Sequence, residues 1–220
     1  MKSALAGLIV LIIGDSHTAS KYFFNNALHD ALSRQGAIVH SYGVCGSSAQ
    51  DWVLRTMLPC GRGERHGDGP AQIDPNNWVH AWSLETLIAR HRPDLLIVEL
   101  GDNMASYGAL PYLPRQAIGE EVSELTRPIA ASKISCIWVG PPWGAEGGKW
   151  KKTFVRVKEL SDYLSQVVAP CRYIDSLTYS KPGEWPTLDG VHLTPESYQI
   201  WGNDLTNSIA QMTQSVRKPQ

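Results

Sequence analysis

A serine near one end of this 220-residue chain and an aspartate and histidine near the other could together move an acyl group. Gly14-Asp15-Ser16-His17 follows an apolar run and precedes a stretch with helical spacing. A serine on such a strand-to-helix turn exposes its hydroxyl at the sheet edge. Its own N–H lies near a helix N-terminus, where backbone donors and the helix dipole favour a nucleophile. Taken alone the tetrapeptide says little, because Asp and Ser are ordinary helix caps. Asp189-Gly190-Val191-His192 lies close to the other end. A carboxylate three residues before a histidine, across a turn, can accept the ring N–H and leave the second nitrogen free. A serine needs its general base in that state. The alternative is an Asp in a turn beside a solvated His. His29, His40, His66, His80 and His91 lack such a nearby partner and read as surface or structural histidines.

Two further segments could stabilise negative charge. Gly101-Asp102-Asn103 ends one apolar run, and Val44-Cys45-Gly46-Ser47-Ser48 follows another. An Asn103 amide and a Gly46 N–H at neighbouring strand ends could meet the Ser16 N–H at one oxyanion. Gly and Asn are common turn residues, so each is weak singly. All four segments, however, follow strands and fall on one edge of the sheet those strands would form.

That sheet is legible in the hydrophobic pattern. Leu8 to Ile13 is a β-branched run ending at Gly14, as a buried central strand would. Tyr22, Phe23, Leu28 and Leu32 suit one face of a helix, Ala37 to Tyr42 a second strand, and Trp82 to Arg90 a short helix. Leu95 to Leu100 reads as a third strand, and Ile118, Val122, Leu125 and Ile129 as an amphipathic helix. Ile134 to Val139 is a fourth strand, followed by a helix burying Phe154, Val157, Leu160, Leu164 and Val167. Tyr173 and Ile174 mark a short fifth strand. Thr194-Pro195 caps a last helix that buries Tyr198, Trp201, Leu205, Ile209 and Met212. Alternating β and α elements predict an α/β fold, a five-stranded parallel sheet with helices on both faces, in one domain over residues 1–220. Leu58 to Asn77 and Gly140 to Trp150 break the pattern as long Gly- and Pro-rich loops, the second expected at the ligand crevice.

Composition narrows the partners. With 20 basic and 21 acidic residues the formal charge is −1, which argues against nucleic acid or an anionic membrane surface as partner. Lys2 and the apolar stretch Ala4–Ile13 could be a signal peptide, but the stretch is too short to span a membrane and its pattern suits a strand. Any export signal would then precede this numbering. Cys45 and Cys60 could clamp a Gly-rich loop by a disulfide, which would imply an oxidising compartment. All four cysteines, including Cys136 and Cys171 near two buried strands, could equally be reduced thiols packed as small hydrophobes. No Cys/His spacing of a zinc site is present, and no metal or cofactor is expected.

The four blocks, carrying Ser16, Gly46, Asn103 and Asp189/His192 in this order, resemble the SGNH/GDSL hydrolase superfamily over residues 14 to 192. The resemblance implies its flavodoxin-like three-layer fold, a Ser16–His192–Asp189 triad and an oxyanion hole from Ser16, Gly46 and Asn103. GDSH in place of GDSL is similar to the branch acting on carbohydrate O-acetyl groups. The third block departs from G-x-N-D, since Asp102 precedes Asn103 and Met104 follows it. Gly43 is a rival to Gly46. The absence of G-x-S-x-G disfavours an α/β-hydrolase. The expected activity is a serine esterase on O-acetyl groups of carbohydrate or polysaccharide, with Trp143 and Trp150 as a stacking wall for a sugar ring. The blocks also resemble SGNH proteins of bacterial exopolysaccharide acetylation systems, including those modifying cellulose. An acetyltransferase working with other proteins of such a system is therefore an alternative. A lipase or thioesterase, and a non-catalytic polysaccharide-binding subunit, complete the alternatives. The expected location is periplasmic or secreted.

Overall fold

A computed structural model of the chain describes residues 3–217, with side chains described to residue 214. The central strand β1 (Ile9–Gly14) is apolar along its length and buried on both faces. A short helical turn, α1 (Ser16–Ala19), follows directly, and α2 (Ala27–Arg34) leads into β2 (Ile38–Val44). The next segment contains α3 (Asp51–Leu54), β3 (Met57–Leu58), β4 (Arg62–His66), β5 (Gln72–Asp74) and β6 (Val79–His80). Regular alternation then resumes with α4 (Leu84–His91), β7 (Leu95–Glu99), α5 (Arg115–Ser132), β8 (Ser135–Val139), α6 (Phe154–Val167), β9 (Arg172–Ile174) and α7 (Pro195–Arg217).

The main sheet has seven strands in the order β5-β4-β2-β1-β7-β8-β9. The five expected strands are its parallel part, in the doubly wound order 2-1-3-4-5 when counted among themselves. Alternation along β1 builds two cores, since successive side chains of a strand face opposite ways. Leu11 and Ile13 pack with Tyr42, Trp52, Val98, Trp138 and the α4–α6 layer. Val10 and Ile12 pack with Val39, Ile97, Val139 and the α2/α7 layer, which supplies Leu28, Leu32, Tyr198 and Trp201.

Two features depart from expectation. The helix read over Tyr22 to Leu32 is broken, because α1 ends at extended Ser20 and helical register restarts only at Ala27. Tyr22 is consequently exposed, and Phe24 is the buried aromatic, 3.9 Å between ring centroids from Trp201. The Leu58–Asn77 segment is no plain loop. It supplies β4 and β5, an antiparallel arm that extends the sheet beyond β2, and β3, which pairs with β6 in a separate ribbon. Gly43 and Gly63 explain how the arm and α1 fit together: a Cβ at Gly43 would overlap the backbone of Thr18 and Ala19, and one at Gly63 the Ala19 carbonyl, so α1 lies directly on β2 and β4.

Both cysteine pairs are disulfides. Cys45–Cys60 ties the turn after β2 to the start of the arm, and Cys136–Cys171 joins β8 to the residue before β9.

Candidate active site

Ser16 is the first residue of α1, and the Asp15 side chain caps that turn by accepting the His17 N–H at 2.9 Å. From the α7 side of the sheet, His192 brings Nε2 to 2.8 Å from Ser16 Oγ. Its Nδ1 lies 2.8 Å from Asp189 Oδ2, so that nitrogen carries the proton and Nε2 faces the serine as an acceptor. Asp189 Oδ1 also accepts the backbone N–H of His192 at 2.9 Å and of Val191 at 3.1 Å. Burial alone would raise the Asp189 carboxyl, but these three donors outweigh it and hold it well below the usual carboxylate range. Phe23 stacks on the His192 ring with centroids 5.6 Å apart, and Trp150 Nε1 donates to Asp189 Oδ2 at 3.2 Å. The Gly140–Trp150 loop braces the same turn, since the Ala145 and Lys149 N–H groups donate to Gly190 and Asp189 carbonyls.

Ser16 opens on a cavity of about 250 Å³ bounded by Gly46, Asn103, Ser106, Tyr107, Trp150, Val191 and the Cys45–Cys60 disulfide. Gly46 sits at φ +82°, a conformation a side chain would strain, and the disulfide fixes its turn. With Gly43 accounted for by α1 packing, Gly46 is the glycine at the cavity. Among the described residues neither the Ser16 nor the Gly46 N–H has a hydrogen-bond acceptor within the chain. Asn103 also lines the cavity, yet both its amide hydrogens have partners, Asp15 Oδ2 at 3.1 Å and the Ser47 carbonyl at 3.0 Å. It can serve an oxyanion only by sharing or releasing one of them. A second depression, about 320 Å³, meets the first at Ser16 and His192 and runs between Phe23, Arg62, Ile73 and Asp74. A hollow of about 400 Å³ lies at the opposite edge of the sheet, by Leu95, Ile134 and Pro170, and touches no triad residue.

Of the two tryptophans expected to form a stacking wall, the structure brings one to the cavity. Trp150 lines the cavity, whereas Trp143 packs edge-on against Phe154, donates to the Leu177 carbonyl and borders a different surface hollow with Val155. Its ring therefore faces the start of α6 rather than Ser16.

Behind the serine lies a buried charge network with no counterpart in the sequence pattern. His17 donates through Nε2 to Asp102 Oδ2 at 2.9 Å, and its Nδ1 accepts from the Tyr198 hydroxyl. Asp102 also receives the Tyr107 hydroxyl at 2.6 Å and the Lys152 ammonium at 2.9 Å. Lys152 is 1% exposed and donates once more, to the Pro142 carbonyl. Burial would raise Asp102, but Lys152, His17 and Tyr107 hold it far below the usual range. Burial lowers His17 to about 4 despite Asp102, so its ring is neutral at pH 7. Burial raises Asp15 to about 8 and pushes neighbouring Glu99 well up. Asp15, His17 and Glu99 have metal-binding donor types, but all are engaged: Asp15 by His17 and Asn103, His17 by Asp102 and Tyr198, Glu99 by Thr18.

Of the remaining histidines, His29 is structural, bonded to Ser41 and the Gly67 carbonyl, and His80 bonds the Arg55 carbonyl. His40, His66 and His91 converge from β2, β4 and the end of α4. Being far apart in the chain, they gave no spacing signal.

No protein-family model matches the chain. A curated relative, Protein BcsX of Komagataeibacter xylinus, is 40% identical over 209 residues, covering 94% of this chain and 79% of its own. Among solved structures, Est24, a carbohydrate acetylesterase from Sinorhizobium meliloti, superposes with a TM-score of 0.63 at 18% identity, over 93% of this chain and 99% of that one. A GDSL-like lipase from Bacteroides thetaiotaomicron gives 0.60 at 16% identity, over 94% and 88%. Likeness at these identities is likeness of fold, and it is the SGNH fold. With a relative of this identity, the chain belongs to the family of BcsX, and its fold is that of the SGNH/GDSL hydrolases, with the four blocks gathered at one sheet edge.

Proposed function

We propose that the chain is a serine acyl-transferring enzyme that acts on O-acetyl groups of carbohydrate or polysaccharide. The observation that carries this is the continuous Ser16–His192–Asp189 hydrogen-bond chain opening on a cavity sized for a short acyl group. Ser16 Oγ attacks the ester carbonyl while His192 Nε2 takes its proton, and Asp189 stabilises the imidazolium through Nδ1. The Ser16 and Gly46 N–H groups receive the oxyanion, with Asn103 as third donor. As the C–O bond breaks, the imidazolium returns the proton to the leaving alcohol, and the acyl group stays on Ser16. Water or a sugar hydroxyl, losing its proton to His192, then attacks the acyl carbon, and as the bond to Ser16 breaks the imidazolium returns that proton to Ser16 Oγ.

A cavity of about 250 Å³ is below the usual range for drug-sized ligands, which favours acetyl over a fatty acyl chain. The second depression, reaching Ser16 from the side of the arm, suits a sugar acceptor and keeps the transferase reading open. Est24 is a carbohydrate acetylesterase of the same fold, in line with this substrate class. Two disulfides and no free cysteine fit an oxidising compartment, hence a periplasmic or secreted protein. Among the described residues no helix is long and apolar enough to cross a membrane. Partner proteins of a polysaccharide acetylation system are part of the proposal.

Intact mass after brief exposure to p-nitrophenyl acetate tests the chemistry. An acetyl adduct or rapid p-nitrophenol release in the wild type, absent in Ser16→Ala, is the expected result. Repeating the reaction with sugar hydroxyls separates hydrolysis from transfer. Equal behaviour of the two proteins would overturn the proposal.

A further inference from the structure

His40, His66 and His91 converge on the face of β2 away from α2 and α7, on the arm side of the sheet. His40 and His66 are directly opposed across the β2–β4 pair, and the α4 C-terminus brings in His91. One ring nitrogen of each lies within 4.8 Å of the other two. We infer that these three histidines form a binding site for a divalent transition-metal ion of the zinc class, separate from the Ser16 cavity.

The geometry of the closest pair carries this furthest. His40 Nδ1 and His66 Nδ1 are 3.2 Å apart. Two nitrogens bound at ~2.0–2.1 Å to a tetrahedral zinc ion stand about 3.3 Å apart, so this pair already has the spacing of two ligands. The proton inventory agrees. His66 Nε2 faces Glu64 Oε2 at 3.2 Å, which places the ring hydrogen there and leaves Nδ1 a bare acceptor. A ligating histidine characteristically donates its outer N–H to a carboxylate in this way. Facing nitrogens on His40 and His66 then share one hydrogen, which moves to His40 Nε2 when a metal takes its place; no proton need leave the protein. The third ring stacks on His40 with centroids 4.1 Å apart and is oriented by the Tyr42 hydroxyl, 2.7 Å from His91 Nε2. Glu64 offsets the nearby Arg90, which bonds Tyr42. Three imidazoles without thiolate suit zinc, copper, nickel or cobalt rather than calcium or magnesium.

Three of the ligand positions join β2, the arm and α4, so the ion would fasten the arm to the sheet. It lies about 13 Å along β2 from the Val44–Arg62 pair that reaches the Ser16 cleft. Its expected effect is therefore on stability rather than on the chemical step.

The test uses the full chain without a histidine tag, stripped with a chelator and titrated with Zn²⁺ alone against a chromophoric competitor. One equivalent should bind at micromolar Zn²⁺ or tighter, raise Tm by about 5 °C when saturated, and give the intense visible bands of four-coordinate cobalt when Co²⁺ replaces it. His66→Gln and His91→Gln should each weaken binding by at least about tenfold and abolish the Tm rise. Glu64→Gln, which leaves every ligand in place, should weaken it by about tenfold or more, and it decides the matter if a histidine variant fails to fold. His80→Gln should bind as the wild type does. No saturable binding to the wild type, or binding that survives in His66→Gln and Glu64→Gln, would overturn the inference.

Discussion

His192 and His17 each lean on an aspartate through one ring nitrogen, at 2.8 and 2.9 Å, and their rings are only 5.3 Å apart. What separates them is the second nitrogen. In His192 it reaches Ser16 Oγ at the mouth of a cavity, and the side chain is 19% exposed. In His17 it accepts the Tyr198 hydroxyl inside a core that leaves the side chain 1% exposed. The aspartates differ likewise: Asp189 is held by N–H donors of its own turn, whereas Asp102 is shared among His17, Tyr107 and Lys152. A histidine–aspartate pair becomes a base by having a reactive hydroxyl and solvent on its free side. The same pair closed on all sides becomes a brace.

Single substitutions should break the two pairs in opposite ways. Asp189→Asn should cut kcat/KM for p-nitrophenyl acetate by about 10⁴-fold, because Nδ1 no longer has an anion to face, while the unfolding midpoint stays nearly unchanged. Comparable activity in wild type and variant would remove Asp189 from the relay. Lys152→Met should do the reverse, leaving Asp102 as a buried charge short of its main counterion. The cost should be about 3–5 kcal/mol, a fall in Tm of about 10 °C. Thermal melts on Asp102→Asn with Lys152→Met should recover much of that loss, since removing both charges also removes their desolvation. A Lys152→Met protein as stable as the wild type would mean the network contributes nothing.

How much of this contrast the sequence carried depends on the kind of interaction. The triad was readable because each member sits in a short block after a strand, and the strands are apolar runs such as Leu95–Glu99. The α5 positions Ile118, Val122, Leu125 and Ile129 were readable by period alone, and all are buried. Lys152 was not, for it stands beside Lys149 and Lys151 in a Gly-rich loop and nothing local marks it as the buried one. Nor was β4, whose Arg-Gly-Glu-Arg-His carries no apolar alternation and is held by its backbone ladder to β2 and by a disulfide. The Cys136–Cys171 bridge was within reach: one cysteine lies in, and the other just before, strands that any 2-1-3-4-5 sheet places side by side.

Acid and base should load the two regions differently. Burial lowers His17 and His29 to about 4. Between pH 4 and 6.5 the unfolded chain therefore binds more protons at these sites, and their contribution to stability rises with pH. Asp15, raised to about 8, and Glu99, also raised, act in the opposite sense. The unfolded chain releases those protons near its ordinary carboxylate range while the folded chain keeps them, so stability falls as pH rises, until about pH 8 for Asp15. The two trends oppose each other up to 6.5, and only the fall remains above it. Urea midpoints should thus decline from pH 6.5 to 8, and Asp15→Asn should flatten that decline. A midpoint still rising through pH 8 would contradict the protonated state of the buried carboxylates.

The smallest expected effect separates the two tryptophans of one loop. Trp150→Phe keeps an aromatic wall on the cavity but deletes the N–H that reaches Asp189 Oδ2 at 3.2 Å. One hydrogen bond to a charged group is worth about 1.5 kcal/mol when fully formed, and this one is partly solvated, so a loss of about fivefold in kcat/KM on p-nitrophenyl acetate is expected. Trp143→Phe deletes only the bond to the Leu177 carbonyl, which touches no reacting group. It should leave kcat/KM within about twofold and lower stability by about 1 kcal/mol. The pair is more informative on an acetylated polysaccharide than on the small ester. If Trp150 acts through Asp189 alone, both substrates lose the same factor in Trp150→Phe. A larger loss confined to the polymer would make its ring a sugar platform as well, and an equal polymer-specific loss in Trp143→Phe would extend that platform across the loop to the α6 side.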